Sequence, residues 1–294
     1  DFSLEGPDGT VLNGPYTPVT GASWDNLYLS WLASNIGYIF DADHLTSLKT
    51  EDGTQTQVVG TEIASFTARL PSTGSCELYR STENGVQISK INDKTLSISN
   101  GDGGSWEYMS DNFTVAPAVQ GSFIFLYETP SVIAFENLYS IPKTIDIVIN
   151  GSEVQMKSHT GTYTSSGITL VASTAYIIRC DFEMNELSAP DLRGDYDFLV
   201  TRLHPSDSSQ NVEYTGSVND FEIPRTGGSN RHLKLGNAQS QIAGKFGSFA
   251  MTTGNLDAKN RTKAWLQAKF LNSEVEVSDP NGVAADLAIQ LHVA

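Results

Sequence analysis

Cysteine is nearly absent from this 294-residue chain, with Cys76 and Cys180 the only two. That leaves one bridge or two separate thiols, and it excludes a disulfide scaffold, a Cys-x-x-Cys redox motif and a cysteine-rich zinc site. Positive charge is scarce too: 18 Lys and Arg face 34 Asp and Glu, a formal net charge of −16. Affinity for nucleic acid comes from cations that neutralise phosphates, so nucleic acid and anionic membrane surfaces are excluded as expected partners. Long apolar runs are missing as well. The longest, near residues 121–127 and 176–178, have the length of strands, so no membrane insertion is expected. The five histidines, at 44, 159, 204, 232 and 292, form no His-x-x-x-His or His-Glu pair, which leaves a zinc site unsupported. A Gly-x-Ser-x-Gly elbow and the glycine-rich phosphate cradles are also absent.

The composition that remains is that of a folded β protein. Hydrophobic residues make up 39% and charged residues 18%, with 25 Gly and 11 Pro, enough apolar material for one large core. Residues 1–22 hold four Gly and three Pro, which predicts an extended arm rather than a helix. Trp24 to Ser34 fits either helical spacing or an alternating strand. Short alternating runs from Thr56 to Ile98, broken by Gly, Asn and Asp, predict hairpins. Ser122-Phe-Ile-Phe-Leu-Tyr, Ile145 to Ile149 and Tyr176 to Phe182 predict core strands, and Asn150-Gly a hairpin turn. Asp191 to Arg202 reads as an acidic loop feeding a strand, and Glu213 to Arg231 as a long connection. No period of repeats is visible. The first residue is Asp rather than Met, so a leader or a larger amino-terminal region is expected outside this numbering.

Two segments carry a resemblance to a known family. Near the end run His232-Leu-Lys-Leu-Gly-Asn, Ile242-Ala-Gly-Lys-Phe-Gly-Ser-Phe-Ala-Met and Leu256-Asp-Ala-Lys-Asn-Arg-Thr-Lys-Ala-Trp-Leu-Gln-Ala-Lys-Phe-Leu. Near the start runs Tyr38-Ile-Phe-Asp-Ala-Asp-His-Leu-Thr-Ser-Leu. In this order they resemble the closing strands, short helix and opening segment of concanavalin A-like, laminin-G-like domains of phage structural proteins and bacterial surface proteins. The resemblance covers about Tyr38 to Leu271 and brings no catalytic residue with it. It implies an all-β fold: a two-sheet antiparallel sandwich, or jelly roll, with one short C-terminal helix. The expected organisation is an arm and short packed segment at 1–37, the sandwich at 38–272 and a β-hairpin extension at 273–294.

The candidate sites are few. Asp41 and Asp43 flank Ala42 and present two carboxylates, and Asp191, Asp195 and Asp197 do the same further on. Calcium takes oxygen ligands of this kind, while turn capping or a solvated acidic loop uses the same residues without a metal. The only cofactor considered is therefore Ca²⁺. Tyr163, Tyr196 and Tyr214 are candidates for stacking on sugar faces, as are Trp24, Trp31 and Trp106; Trp106 also suits a core strand, and Trp265 is expected to anchor the helix. Asp181, Glu183 and Glu186 approximate the Glu-x-Asp-x-x-Glu strand of laminarinase-type hydrolases with the first two types exchanged. Asn112-Phe-Thr, Asn150-Gly-Ser and Asn260-Arg-Thr match the glycosylation triplet. The resemblance and composition together lead to the expectation of a non-enzymatic structural or adhesive protein on a virion surface or outside the cell. It would form a homo-oligomer, dock on other subunits through its arm and terminal hairpin, and face a cell-surface glycan. The alternatives are an extracellular glycoside hydrolase and a cell-surface or pilus adhesin.

Overall fold

The computed structural model describes residues 4–5, 11–12, 36–44, 46–68, 77–80, 86–93, 95–100, 108–110, 120–133, 135–141, 145–158, 160–186, 191–224, 234–235, 244–253 and 256–272. Strands β1 (Leu4–Glu5) and β2 (Val11–Leu12) pair with each other. The remaining strands, in chain order, are β3 (Ile36–Asp41), β4 (Leu48–Lys49), β5 (Ser65–Thr67), β6 (Glu77–Arg80), β7 (Val86–Lys90), β8 (Leu96–Asn100), β9 (Tyr108–Ser110), β10 (Gln120–Glu128), β11 (Glu136–Ile141), β12 (Ile145–Asn150), β13 (Glu153–Lys157), β14 (Tyr163–Thr169), β15 (Ala175–Glu186), β16 (Asp191–Arg202), β17 (Val212–Pro224), β18 (Lys234–Leu235) and β19 (Lys245–Thr253). Among the described residues one α-helix, α1 (Leu256–Asn272), follows.

The strands form two large antiparallel sheets. Sheet I runs β17-β16-β15-β10-β19-β8-β7, with β3 on another part of β19, and sheet II runs β14-β13-β12-β11-β18-β9-β6-β5-β4. This is the jelly-roll sandwich that the resemblance implies. Its core lies between the sheets, where alternate residues from each strand meet. Tyr176, Ile178 and Cys180 of β15 and Tyr196, Phe198 and Val200 of β16 come from sheet I, and Phe66, Leu78, Ile147, Ile149, Val154 and Met156 from sheet II. Phe125 and Phe249 stack with centroids 5.1 Å apart, and Phe40 meets Phe66 edge-on at 5.3 Å.

Helix α1 lies on the outer face of sheet I. Trp265, Leu266 and Phe270 are buried against Ile39, Ile124, Leu126, Ile177 and Ala250. Strand β10 is thereby covered on both faces, which is why its sequence is an unbroken apolar run instead of an alternating one. Strands β13 and β14 alternate buried with exposed positions, as expected with the core on one side only.

Most of the elements read from the sequence are present, including the apolar strand at Ser122, the strands at Ile145 and Tyr176, and the helix anchored by Trp265. The Asn150-Gly turn joins β12 to β13, with Gly151 at φ +63°. Two readings are corrected. Asp191 to Arg202 is strand throughout, and Glu213 to Pro224 is a long strand instead of a loop. Gly, Asn and Asp suggested a loop there, but Tyr214, Gly216 and Val218 keep the period of two, and Asp220 at φ +55° absorbs an irregularity near the bulge at Gly194. Ser273 to Ala294 and most of residues 1–37 lie outside the described residues, as do Cys76, Trp24, Trp31, Trp106 and Asn112. Among the described residues, no helix is long and apolar enough to cross a membrane.

The edge strand of sheet II, β14, reaches the edge strand of sheet I, β17, at Gly216. A Cβ added there would meet the Ser166 carbonyl oxygen at 2.0 Å, and that oxygen is backbone and cannot swing away. Gly216→Ala is therefore expected to lower stability by about 1–3 kcal/mol, read as a fall in urea midpoint at unchanged m-value. An unchanged midpoint would show that the two edges do not meet this closely.

Candidate functional site

The outer face of sheet II carries the main candidate site. Its centre is Glu77 on β6, whose carboxylate collects four donors. Its Oε1 accepts from Lys49 Nζ at 2.8 Å, Ser65 Oγ at 2.6 Å and Thr67 Oγ1 at 3.1 Å, and its Oε2 from the Tyr79 hydroxyl at 2.9 Å. Three adjacent strands supply these groups, because Leu48 pairs with Phe66 and Phe66 with Leu78 in the core, which turns Lys49, Ser65 and Thr67, Glu77 and Tyr79 to the other side. Burial alone would raise the Glu77 pKa. The hydrogen bonds from Lys49, Ser65 and Tyr79 outweigh burial and bring the carboxyl down from 4.5 to about 2. Glu77 is thus a fixed anion that holds Lys49 and Tyr79 in place, and the Tyr79 ring remains 45% exposed.

The same face continues toward β14. The register passes from Tyr79 through Met109, Lys234, Ser140, Asp146 and Lys157 to Tyr163. Tyr163 is 41% exposed. Lys157 Nζ lies 5.5 Å from its ring centroid, and the Phe135 ring meets it edge-on at 5.9 Å. On the same strands Glu153 accepts from Gln155 at 2.6 Å and from Ser165, which keeps its carboxyl below the ordinary range. Tyr79 and Tyr163 are six strand spacings apart, about 29 Å along the sheet.

Of the tyrosines proposed from sequence, only Tyr163 has this setting. Tyr196 is 1% exposed and packed between Phe182 and Phe221, so its ring belongs to the core and cannot stack on a sugar. Tyr214 lies partly buried against the same core. Sequence reasoning missed Lys49, Glu77 and Tyr79. The available signal was the alternation in Glu77-Leu-Tyr-Arg, which places Glu77 and Tyr79 on one side, but nothing in the chain pairs that run with Lys49 or Ser65.

The acidic candidates lie on the other sheet. Asp41 is fully buried and accepts from Lys269 Nζ at 2.6 Å, and Asp43 lies 3.2 Å from the same nitrogen. Burial raises the Asp43 pKa and the neighbouring Asp41 raises it further, while Lys269 and the Leu96 amide offset part of the shift. The positive charge beside these carboxylates is a lysine of α1. Asp195 accepts from the Asp220 amide at 2.9 Å, and Asp197 is exposed opposite Asp181 on β15. For Asp191 only the backbone is described, in β16. Among the described residues, no group of three or more His, Cys, Asp or Glu is arranged to hold a metal ion.

Asp181 is wholly engaged. Arg179 Nε and Nη2 grip it at 2.7–3.0 Å, Ser122 donates at 2.5 Å and Lys259 at 2.8 Å. Burial opposes its ionisation, but these donors prevail and lower its pKa. It therefore serves as a fixed counter-ion for the helix. Glu183 points to the same face and is exposed. Asn260, of the third glycosylation triplet, accepts from Arg179 Nη1 at 2.7 Å.

No family model matches the chain, and no curated protein matches it. Among solved structures it is similar to a marine PL-14 alginate lyase from Aplysia kurodai, at 9% identity over 65% of this chain and 87% of that one, with a TM-score of 0.35. It is also similar to the binding domain of a botulinum neurotoxin, DC, in complex with SialylT, at 11% identity over 78% and 52%, TM-score 0.44. A third is an alginate lyase of polysaccharide lyase family 7, at 13% identity over 70% and 92%, TM-score 0.24. These are loose likenesses between sandwiches. They do correct one expectation: two of the three proteins are lyases, so a sandwich of this kind gives no ground for calling the chain non-enzymatic. Neither the fold nor the comparisons support placement on a phage particle.

The Glu77 network makes stability depend on pH in a defined direction. Its folded pKa lies below the ordinary one, so its contribution is complete above about pH 5 and fades as pH falls toward 2. Glu77→Gln is expected to cost about 1–2 kcal/mol at pH 7, after allowance for screening at this partly exposed site, and roughly a quarter of that at pH 2.5. Urea unfolding at both pH values measures the difference, and an equal cost at both would refute the assignment.

Proposed function

We propose that this protein is an extracellular polysaccharide-recognising sandwich whose ligand lies across the strands of sheet II, between Tyr79 and Tyr163. One observation carries the reading: two exposed tyrosine rings, each fixed by polar neighbours, stand on one register row of the same sheet face. Rings held in this way offer apolar faces to sugars while their hydroxyls stay wet, and fixing them beforehand lowers the entropy lost on binding. A spacing of about 29 Å suits an extended polymer, not a single sugar.

Charge favours a neutral polymer. The Lys49 ammonium is bound by Glu77, and that of Lys157 sits over Tyr163 with Asp146 opposite it in the register. A polyanionic chain needs cations free to meet it and would approach a protein of net charge −16.

Cleavage of the bound chain is the second reading. It is favoured by the contact of Lys49, Glu77 and Tyr79, a cation, a carboxylate and a phenol within hydrogen-bond reach at an exposed ring. Glu77 stays ionised to about pH 2, so the proton donors there are Tyr79 and Lys49.

Affinity electrophoresis against neutral glucans, mannans and xylans, with alginate and pectate alongside, tests the proposal. Retardation by a neutral polymer is expected, and Tyr79→Ala or Tyr163→Ala should each weaken it roughly three- to tenfold, with the fold retained in both and only a small loss of melting temperature in Tyr79→Ala, which also removes a donor from Glu77. Binding that both variants keep would remove the row from the site. Assay of new reducing or unsaturated ends in the same mixtures separates binding from turnover, and a product lost in Tyr79→Phe supports the second reading.

A further inference from the structure

Helix α1 is fastened to sheet I by two halves of different chemistry. The C-terminal half is seated by apolar burial, with Trp265 and Phe270 each 3% exposed and Leu266 fully buried. It is closed by Asn92 Nδ2 donating to the Phe270 carbonyl at 2.8 Å and by Lys269 on Asp41 and Asp43. The described side chains of the N-terminal half make polar contacts. Lys259 meets Asp181, Asn260 accepts from Arg179, and Lys263 pairs with Glu213.

The floor beneath that half is polar too. Ser122, Arg179, Thr201 and Thr252 are at most 7% exposed, and Thr262 of the helix is fully buried above them. A floor of this kind is an odd choice for permanent attachment. Removing a guanidinium and a carboxylate from water costs several kcal/mol, and replacing such a pair with packed apolar side chains is often neutral or stabilising. The apolar seat under Trp265 shows that this sheet face supports ordinary packing only a few residues away. The ion pairs also reach solvent, with side chains 21% exposed at Lys259, 17% at Asp181 and 50% at Glu213, so dissolved salt can screen them.

We propose that the first half of α1, from Leu256 to about Lys263, is a salt-released flap. It lifts from sheet I by local unfolding while Trp265, Leu266 and Phe270 stay seated. Lifting uncovers a polar surface of Ser122, Arg179, Asp181 and Thr201 on the face opposite the tyrosine row. The apolar half acts as the hinge and the lysine half as the latch. This device does not depend on the sugar-binding proposal.

Hydrogen–deuterium exchange followed by mass spectrometry, on the full chain at about 0.02 M and 1 M NaCl, tests it. Amides of 260–267, whose helical partners are carbonyls of the first half, are expected to exchange roughly tenfold faster at high salt, while those of 268–272 and of β10 stay unchanged. Lys259→Met combined with Lys263→Met should give fast exchange of the first half at both salt levels and abolish the salt response. If both halves exchange at one rate at every salt concentration, or the first half ignores salt in the unaltered protein, there is no latch. The unaltered protein alone decides the point if the double variant does not fold.

Discussion

Everything in this molecule depends on the centre of sheet I being buried on both faces. Its central strand, β10, presents Phe123, Phe125 and Tyr127 to sheet II and Ile124 and Leu126 to the helix. At roughly 25 cal/mol per Å² of apolar surface removed from water, double coverage lets the apolar side chains on both sides of this strand contribute to stability. Coverage by α1 also sorts the two outer faces by role. The face of sheet I is occupied by the helix, while the outer face of sheet II carries the exposed Tyr79 and Tyr163 rings.

Charge is distributed accordingly. The protein is strongly acidic, yet several of its lysines are committed to particular carboxylates. Lys49 holds Glu77, Lys259 holds Asp181 and Lys269 holds Asp41 with Asp43. Asp41, Asp43 and Asp181, which look in sequence like cation ligands or a catalytic acid, are therefore already partnered. Asp181 is the plainest case: it belongs to an acidic run that resembles a hydrolase strand, but Arg179 and Lys259 keep it ionised and immobile.

The candidate site was only partly legible. Tyr163 was visible as an aromatic in a turn-rich region, and it is exposed. Tyr196 was chosen by the same criterion and is core, although Tyr196, Phe198 and Val200 alternate with the period of a half-buried strand and could have been read that way. Lys49, Ser65, Glu77 and Tyr79 could not have been assembled from spacing. Their intervals in sequence reflect loop lengths, and their adjacency reflects the pairing of β4, β5 and β6.

The sequence by itself determined the class of fold. Period-two runs, Gly and Asn turns and one helix with an aromatic anchor dictate strands and a seat for that helix, because local backbone preference and the side on which apolar residues fall are both encoded in neighbouring residues. It also determined the acidity that disfavours nucleic acid and anionic membranes. Tertiary structure alone decided which side chains meet, which sheet face the helix covers and which acids are neutralised. Those outcomes rest on register and on contacts between residues far apart in the chain, such as Lys269 with Asp41, and no local pattern carries that information.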